Sequence, residues 1–444
     1  MDFLLRIAIA LLVLIVAGFS WASARKILGP WHRLPLDFAL AMLTATYTFG
    51  CGILYLFQIE YLHRFYGNGA FLPTRTSFTL ILALAALPYL VVPWSTVVIA
   101  GFGRAGLPAR IARAQALPPI RYDSLIIASL IILIGSGLIL APVLPTLASN
   151  ALGDLFSITS AASLYTQRQL VFQNVTFLQG GIVYSVLPSL AAVILFWPGR
   201  WVFLSRVSGI ALAVFATLMN LGMFQIGPTL SFFLTCTFCY FATRGGKVRT
   251  LAVAVVTSMV LIILTLYSTI KVTGNQLSQI ELFLMRLPIP LPYLIQMASE
   301  KPNVDSEFIS LPHELGEYMF PELRSAQRFV AMPQPAYIDA WFTYHPVISL
   351  AVLVLIGGMI VWFGNRLALS GFGSGGRNSR LILWASVAAP TLYYAFQVDI
   401  FALFTSAYSV TFVILPAIGI LIVNRMMEEA VPAEMHQTSG LNRD

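Results

Sequence analysis

The feature that most constrains this chain is a succession of apolar stretches, each about twenty residues long. A helix of that length spans the hydrocarbon of a bilayer, about 30 Å thick, with every backbone group paired inside the segment. Windows of this kind fall at about 3–22, 36–57, 77–102, 124–146, 180–198, 206–225, 228–243, 250–270, 346–365, 381–397 and 400–423. The composition agrees, with 58% hydrophobic and 10% charged residues and a mean hydropathy of +0.83, where a soluble domain carries about 25% charged. The expected fold is therefore all-α: one polytopic membrane domain over 1–444 with about eleven transmembrane helices. The first window reads as a retained helix, not a removed signal, because no small-residue cleavage pattern closes it and Arg25, Lys26 and Arg33 follow. Gly227-Pro228 must make a very tight turn between the sixth and seventh windows, and the seventh is short.

Charge sets direction. The net charge of +8 and pI near 9.5 come without a Lys/Arg-rich block or a basic patch interleaved with aromatics, so nucleic acid is not an expected partner. Basic residues instead recur in alternate connections: Arg25, Lys26 and Arg33; Arg104, Arg110, Arg113 and Arg121; Arg200 and Arg206; Arg244, Lys247 and Arg249; Arg366, Arg377 and Arg380. Short basic loops stay in the cytoplasm. That puts the N-terminus outside and the tail, 424–444, inside. Two substantial loops then face outwards, 147–179 and the larger 271–342, and the larger one is expected to contain short helices.

Several chemistries find no support. Cys51, Cys236 and Cys239 lie inside apolar stretches, and the Cys236/Cys239 pair lacks both a second pair and a nearby histidine. The run Gly371 to Gly376 reads as a flexible connector, not a phosphate loop. No metal or other cofactor is expected. Asp37, Asp399 and Arg6 fall at predicted span ends, so no span carries the mid-membrane charge that a coupled transporter usually keeps. No internal repeat joins the two halves.

The outer loops hold the candidates. Arg168, in Leu164-Tyr165-Thr166-Gln167-Arg168, is the only basic residue of the first loop. It reads either as an interfacial arginine whose stem lies on oil or as a two-pronged anion clamp. Arg286 begins the apolar run Arg286-Leu287-Pro288-Ile289-Pro290-Leu291-Pro292-Tyr293, in which alternate prolines favour an extended wall. The same two readings apply to it. Further on, Arg324 and Arg328 share one face of any helical turn, as do His313 and Glu317. Two such residues are too few for zinc, which leaves proton abstraction from a hydroxyl. His345, in Tyr344-His345-Pro346 at the mouth of the ninth span, is a rival base.

Taken together, the many spans, a medium outer loop with its arginine, and a longer outer loop with a second arginine resemble the Wzy-type O-antigen polymerases. The clearest local likeness is Tyr165 to Pro188, with an arginine, a glycine about a dozen residues later and a proline within the next span. The stretches from Met285 to Leu294 and from Tyr337 to Leu353 are weaker likenesses. Order and spacing of spans fit over roughly Tyr122 to Val423. The chain departs from that pattern in having single rather than clustered arginines, and His345-Pro346 where the family often places a glycine.

The resemblance implies joining of oligosaccharide repeat units carried on undecaprenyl pyrophosphate, at the outer leaflet of the bacterial inner membrane. Arg168 and Arg286 would hold the donor pyrophosphate, and Arg324 or Arg328 the acceptor or second phosphate. His313, with Glu317 or His345 as rivals, would be the base. Tyr165, Tyr293, Tyr318, Trp341 and Tyr344 would stack on sugars. Partners implied are the lipid-linked donor and acceptor, the bilayer, and a chain-length-regulating membrane protein.

Overall fold

A computed structural model describes residues 3–44, 75–103, 107–109, 111, 122–151, 170–171, 173–197, 202–223, 227–243, 335–372 and 379–396. Every regular element among the described residues is helical: α1 (Phe3–Ile27), α2 (Pro30–Leu43), α3 (Arg75–Phe102), α4 (Tyr122–Leu140), α5 (Leu144–Ser149), α6 (Phe177–Gly181), a π-helical turn (Ile182–Val186), α7 (Leu187–Phe196), α8 (Val202–Gly222), α9 (Gly227–Thr243), α10 (Ala336–Thr343), α11 (Pro346–Leu369) and α12 (Ser379–Ala395). Five stretches are long and apolar enough to cross a membrane: Ile7–Ile27, Leu82–Phe102, Leu178–Phe196, Phe203–Gly222 and Pro346–Leu369. Large side chains such as Leu12, Phe19, Leu138, Phe203 and Val347 stay exposed. A face of this kind suits lipid, where an apolar surface has no water to avoid. The chain is an α-helical membrane protein. The expected spans at 250–270 and 400–423 and the tail lie outside the described residues.

Prolines and caps moved several expected boundaries. The first connection shrinks to Leu28 and Gly29, and α2 starts at Pro30 rather than near residue 36, because extended Gly29 (φ −70°, ψ 159°) caps a helix with Pro at its first position. The window 124–146 breaks into α4 and α5 around Pro142 and Pro145. The fifth span widens to a π turn immediately before Pro188. Pro188 has no N–H for the carbonyl four residues back, and the amide of Leu187 bonds instead to the carbonyl of Ile182, five residues back. At the end of α11, Gly371 (φ 87°) is the left-handed residue of a Schellman closure. Its N–H meets the Ala368 carbonyl at 3.2 Å, and Phe372 N–H meets the Leu367 carbonyl at 3.1 Å. The first glycine of the expected flexible connector therefore has a stopping role.

Small residues let the helices touch. A Cβ on Gly364 of α11 would collide with His32 Cδ2 and lie 3.0 Å from the Trp31 carbonyl oxygen of α2. Seven residues earlier on the same face, Gly357 meets Ser95 and Thr96 of α3. Gly209 brings α8 onto Leu195 of α7, and Gly222 brings it onto Leu147 of α5. Aromatic contacts complete the core. Phe38 of α2 meets Phe238 of α9 edge-on at 4.9 Å, and Trp362 of α11 meets Trp384 of α12 at 5.2 Å.

The bundle has two chemically different ends. At one, Arg25 Nε pairs with Asp37 Oδ1 at 3.0 Å, and Trp21 Nε1 donates to the same oxygen at 2.8 Å. Asp37 is fully buried, eight residues into α2. It was expected at the end of a span, and it instead staples α1 to α2. Nearby, His32 Nε2 and Asn365 Oδ1 share a hydrogen bond of 3.0 Å, and the Arg366 guanidinium lies 5.7 Å and 5.2 Å from the rings of Trp362 and Trp384. Val193 and Trp197 pack against Ile382, which brings the end of α7, with the neighbouring Arg206, to the same end as Arg380. The 24 residues of α11 rise about 36 Å, so Pro346 marks the opposite end.

Candidate functional site

Of the sequence-predicted site residues, Trp341, Tyr344 and His345 are described. They stand at the end opposite Arg25, Arg366 and Arg380. Tyr165, Arg168, Arg286, Tyr293, His313, Glu317, Tyr318, Arg324 and Arg328 lie outside the described residues.

Tyr344 and His345 owe their position to α10. The last part of the long expected loop is a short helix sunk into the bundle, with Pro335, Ala336, Tyr337, Ile338, Asp339 and Ala340 all buried. Two side-chain bonds hold it. Ser349 Oγ of α11 donates to the Tyr337 carbonyl at 2.6 Å, and the Tyr337 hydroxyl donates to the Leu84 carbonyl of α3 at 3.1 Å. The second bond answers a local defect. The carbonyl of Leu84 would ordinarily receive the N–H of the residue four ahead, which is Pro88 and has none. Leu84 is almost fully buried, so its oxygen needs a donor from within the protein. Tyr337, 253 residues further along the chain, supplies it.

The chain then reverses. Amides of Tyr344 and His345 both point at the Ala340 carbonyl, at 3.2 and 3.0 Å, and His345 takes extended backbone as N-cap of α11, followed by Pro346. Its Nδ1 accepts the Val347 amide at 3.2 Å. This fixes the tautomer of the neutral ring. With Nδ1 accepting, Nε2 carries the proton, so the exposed imidazole offers a hydrogen-bond donor and no lone pair. In this geometry His345 suits contact with a ligand oxygen, and it becomes a proton acceptor only by giving up the cap. Tyr344 beside it is 43% exposed, and Trp341 and Phe342 are half-buried. The result is a rigid rim of aromatic and imidazole groups of the kind that stacks on and hydrogen-bonds to sugars or phosphate oxygens.

A second, neutral polar set gathers at the same end. Asn150 Nδ2 donates to the Gly222 carbonyl at 3.1 Å. Gln179 Nε2 donates to the Ile139 carbonyl in the last turn of α4 at 3.0 Å. Gln179 also closes a capping box with Thr176, its Oε1 taking the Thr176 amide at 2.9 Å. Both ends of the first expected outer loop are thereby tied down. Sequence reasoning passed over this set and over Tyr337. The Thr176–Gln179 spacing is a readable helix-start signal, whereas the partners of Tyr337 and Asn150 are far away in sequence. Among the described residues no three His, Cys, Asp or Glu side chains come together as a metal site.

What the fold and these sites define is a class: a helical membrane protein with a polar rim at one end of its described helices and Arg25, Lys26, Arg33, Arg206, Arg366 and Arg380 at the other. Comparison with known protein families, with curated proteins and with solved structures finds no match for this chain.

Proposed function

We propose that this protein polymerises oligosaccharide repeat units carried on undecaprenyl pyrophosphate, at the periplasmic face of a bacterial inner membrane. The observation that carries the reading is the separation of chemistry between the ends of the bundle. Arg25, Lys26, Arg33, Arg206, Arg366 and Arg380 mark the end that short-loop charge assigns to the cytoplasm. The rim of α10, Tyr344 and His345 belongs to the other, the side to which the sequence assigns the connections carrying Arg168 and Arg286. No nucleotide is expected on that side, so the energy for glycosidic bond formation resides in the donor's own pyrophosphate linkage.

In the proposed reaction a hydroxyl of the acceptor unit attacks the anomeric carbon of the donor unit. The glycosidic bond forms, the bond to pyrophosphate breaks, and undecaprenyl pyrophosphate leaves with the electron pair. The hydroxyl proton passes to a base, His313 or Glu317, with His345 better suited as a donor to an oxygen. Arg168 and Arg286 stabilise the charge growing on the leaving group, and Arg324 or Arg328 holds the second phosphate or the acceptor. Removing one such preorganised donor raises a barrier by about 3 kcal/mol, roughly a hundredfold in rate.

A ligase that moves finished polymer uses the same groups. The intermediate left in cells lacking the gene separates the two: a single unit on the acceptor marks a polymerase, and long unattached polymer marks a ligase. Asp37, fully buried and paired with the part-exposed Arg25, joins two helices at the basic end, a structural use of the charge and not the coupling role a flippase or transporter would give it. The test is complementation with Arg168→Ala and Arg286→Ala. Loss of long chains with normal membrane insertion supports the reading; wild-type chain lengths from both variants refute the assignment.

A further inference from the structure

The last turn of α8 carries a polar group that the folded chain does not use. Asn220 is 1% exposed, and both its Nδ2 and its Oδ1 are buried without a hydrogen-bond partner among the described residues. A carboxamide withdrawn from water in this way is costly, and native proteins rarely keep one unless something outside the chain completes it. It is not needed to finish the helix, because Asn150 already donates to the neighbouring Gly222 carbonyl. Its polar neighbours at this end, Asn150 and Gln179, are both engaged, which makes Asn220 the exception.

Its place in the fold is informative. Helices α7 and α8 run antiparallel, with Ser205 Oγ bonded to the Ile194 carbonyl and Gly209 against Leu195. Carried forward, that register sets Asn220 level with residues 179–184, where the fifth span opens into its π turn. Such turns are frequent at functional sites. Asn220 is thus at the same end of the bundle as Tyr344 and His345. Among the described residues the neighbouring helices are uncharged: α5, α6, the π turn, α7 and α9 contain no Asp, Glu, Lys, Arg or His, and the one charge of α8, Arg206, is at its far end. Met219 of α8 and Met223 just past its end, both buried, flank Asn220 in the chain, and unbranched thioether side chains are the kind that rearrange to admit a ligand group.

We infer that Asn220 is a specificity-determining residue that binds an uncharged sugar substituent able both to donate and to accept, a hydroxyl or an acetamido group of the carried glycan. The inference rests on the polymerase reading. The carboxamide supplies N–H donors and a carbonyl acceptor, which complements such a group, and no described helix around it brings the positive charge that pyrophosphate would call for.

The experiment uses purified full-length protein and lipid-linked repeat units extracted from cells lacking this gene. Rates of ladder formation and thermal unfolding in detergent are measured for wild type, Asn220→Leu and Asn220→Ala. Leucine is close to asparagine in size and removes the unpaired amide, so Asn220→Leu should unfold at the same temperature as wild type or higher. Its rate should nevertheless fall roughly tenfold or more, as expected when a site that hydrogen-bonds a substrate group loses its partner. Wild-type rates in both variants overturn the inference. So does failure of both variants to accumulate, since the folded chain gives that carboxamide no bond to lose. A wild type that forms no ladder refutes the polymerase reading, and this inference with it.

Discussion

The bond from Tyr337 to Leu84 makes a prediction that joins a helix defect to the placement of the candidate site. Tyr337→Phe keeps the buried ring and deletes one hydroxyl. In an ordinary helix the acceptor would retain its own i+4 amide, and the loss would be about 1 kcal/mol. Here the i+4 residue is Pro88, so the buried Leu84 carbonyl loses the donor that compensates for the proline. The cost should therefore approach the full desolvation penalty of an unpaired acceptor, about 1–3 kcal/mol. Pro88→Ala restores an N–H facing that carbonyl. In the Pro88→Ala background, the same Tyr337→Phe change should cost about 1 kcal/mol or less. A double-mutant cycle by denaturant titration in mixed micelles reads the difference as a coupling of about 1–2 kcal/mol. Additive effects, with Tyr337→Phe equally costly in both backgrounds, would refute the claim that Tyr337 answers Pro88.

Two further outcomes follow from the geometry. Gly364→Val should destabilise the protein by about 1–3 kcal/mol or prevent its accumulation, because the added carbons meet His32 and the Trp31 backbone; Gly358→Ala, where a Cβ finds only Ile99 Cδ1 at 3.8 Å, serves as the tolerated control in the same unfolding assay. At His345, Asn keeps a side-chain acceptor for the helix start and Ala does not, so His345→Ala should lose about 0.5–2 kcal/mol of stability relative to His345→Asn. If the imidazole also contacts substrate, His345→Asn should be stable yet slow in ladder formation, and a fully active His345→Asn would reduce the residue to its cap.

The spans were legible in sequence where hydropathy alone decides them. Helices α1, α3, α8 and α11 occupy expected windows to within a few residues, because a run of twenty apolar residues has few alternatives in a bilayer. Punctuation was legible but underweighted: Pro142, Pro145 and Pro188 are visible breakers, and each marks a boundary or a widened turn. Pairing was not legible. Tyr337 stands in a stretch whose ionisable composition reads as an exposed loop, and only its contact with a carbonyl 253 residues away explains why α10 is buried. Asp37 looked like a span-end charge because the window began at residue 36, whereas Gly29 and Pro30 start the helix earlier and bring the carboxylate inside. The neutral set of Asn150, Gln179 and Asn220 escaped notice for a related reason. Uncharged amides escape a search for charged groups, and their importance depends on which partners the fold gives or withholds.

The most direct test of the proposed polymerase is reconstitution. Purified protein is supplied with undecaprenyl-pyrophosphate-linked repeat units and no nucleotide, and both product length and released undecaprenyl pyrophosphate are measured. The account predicts a ladder, one undecaprenyl pyrophosphate released for each linkage formed, and loss of both signals in Arg168→Ala and Arg286→Ala. Unextended substrate with wild-type protein, or an undiminished ladder from both variants, would contradict it.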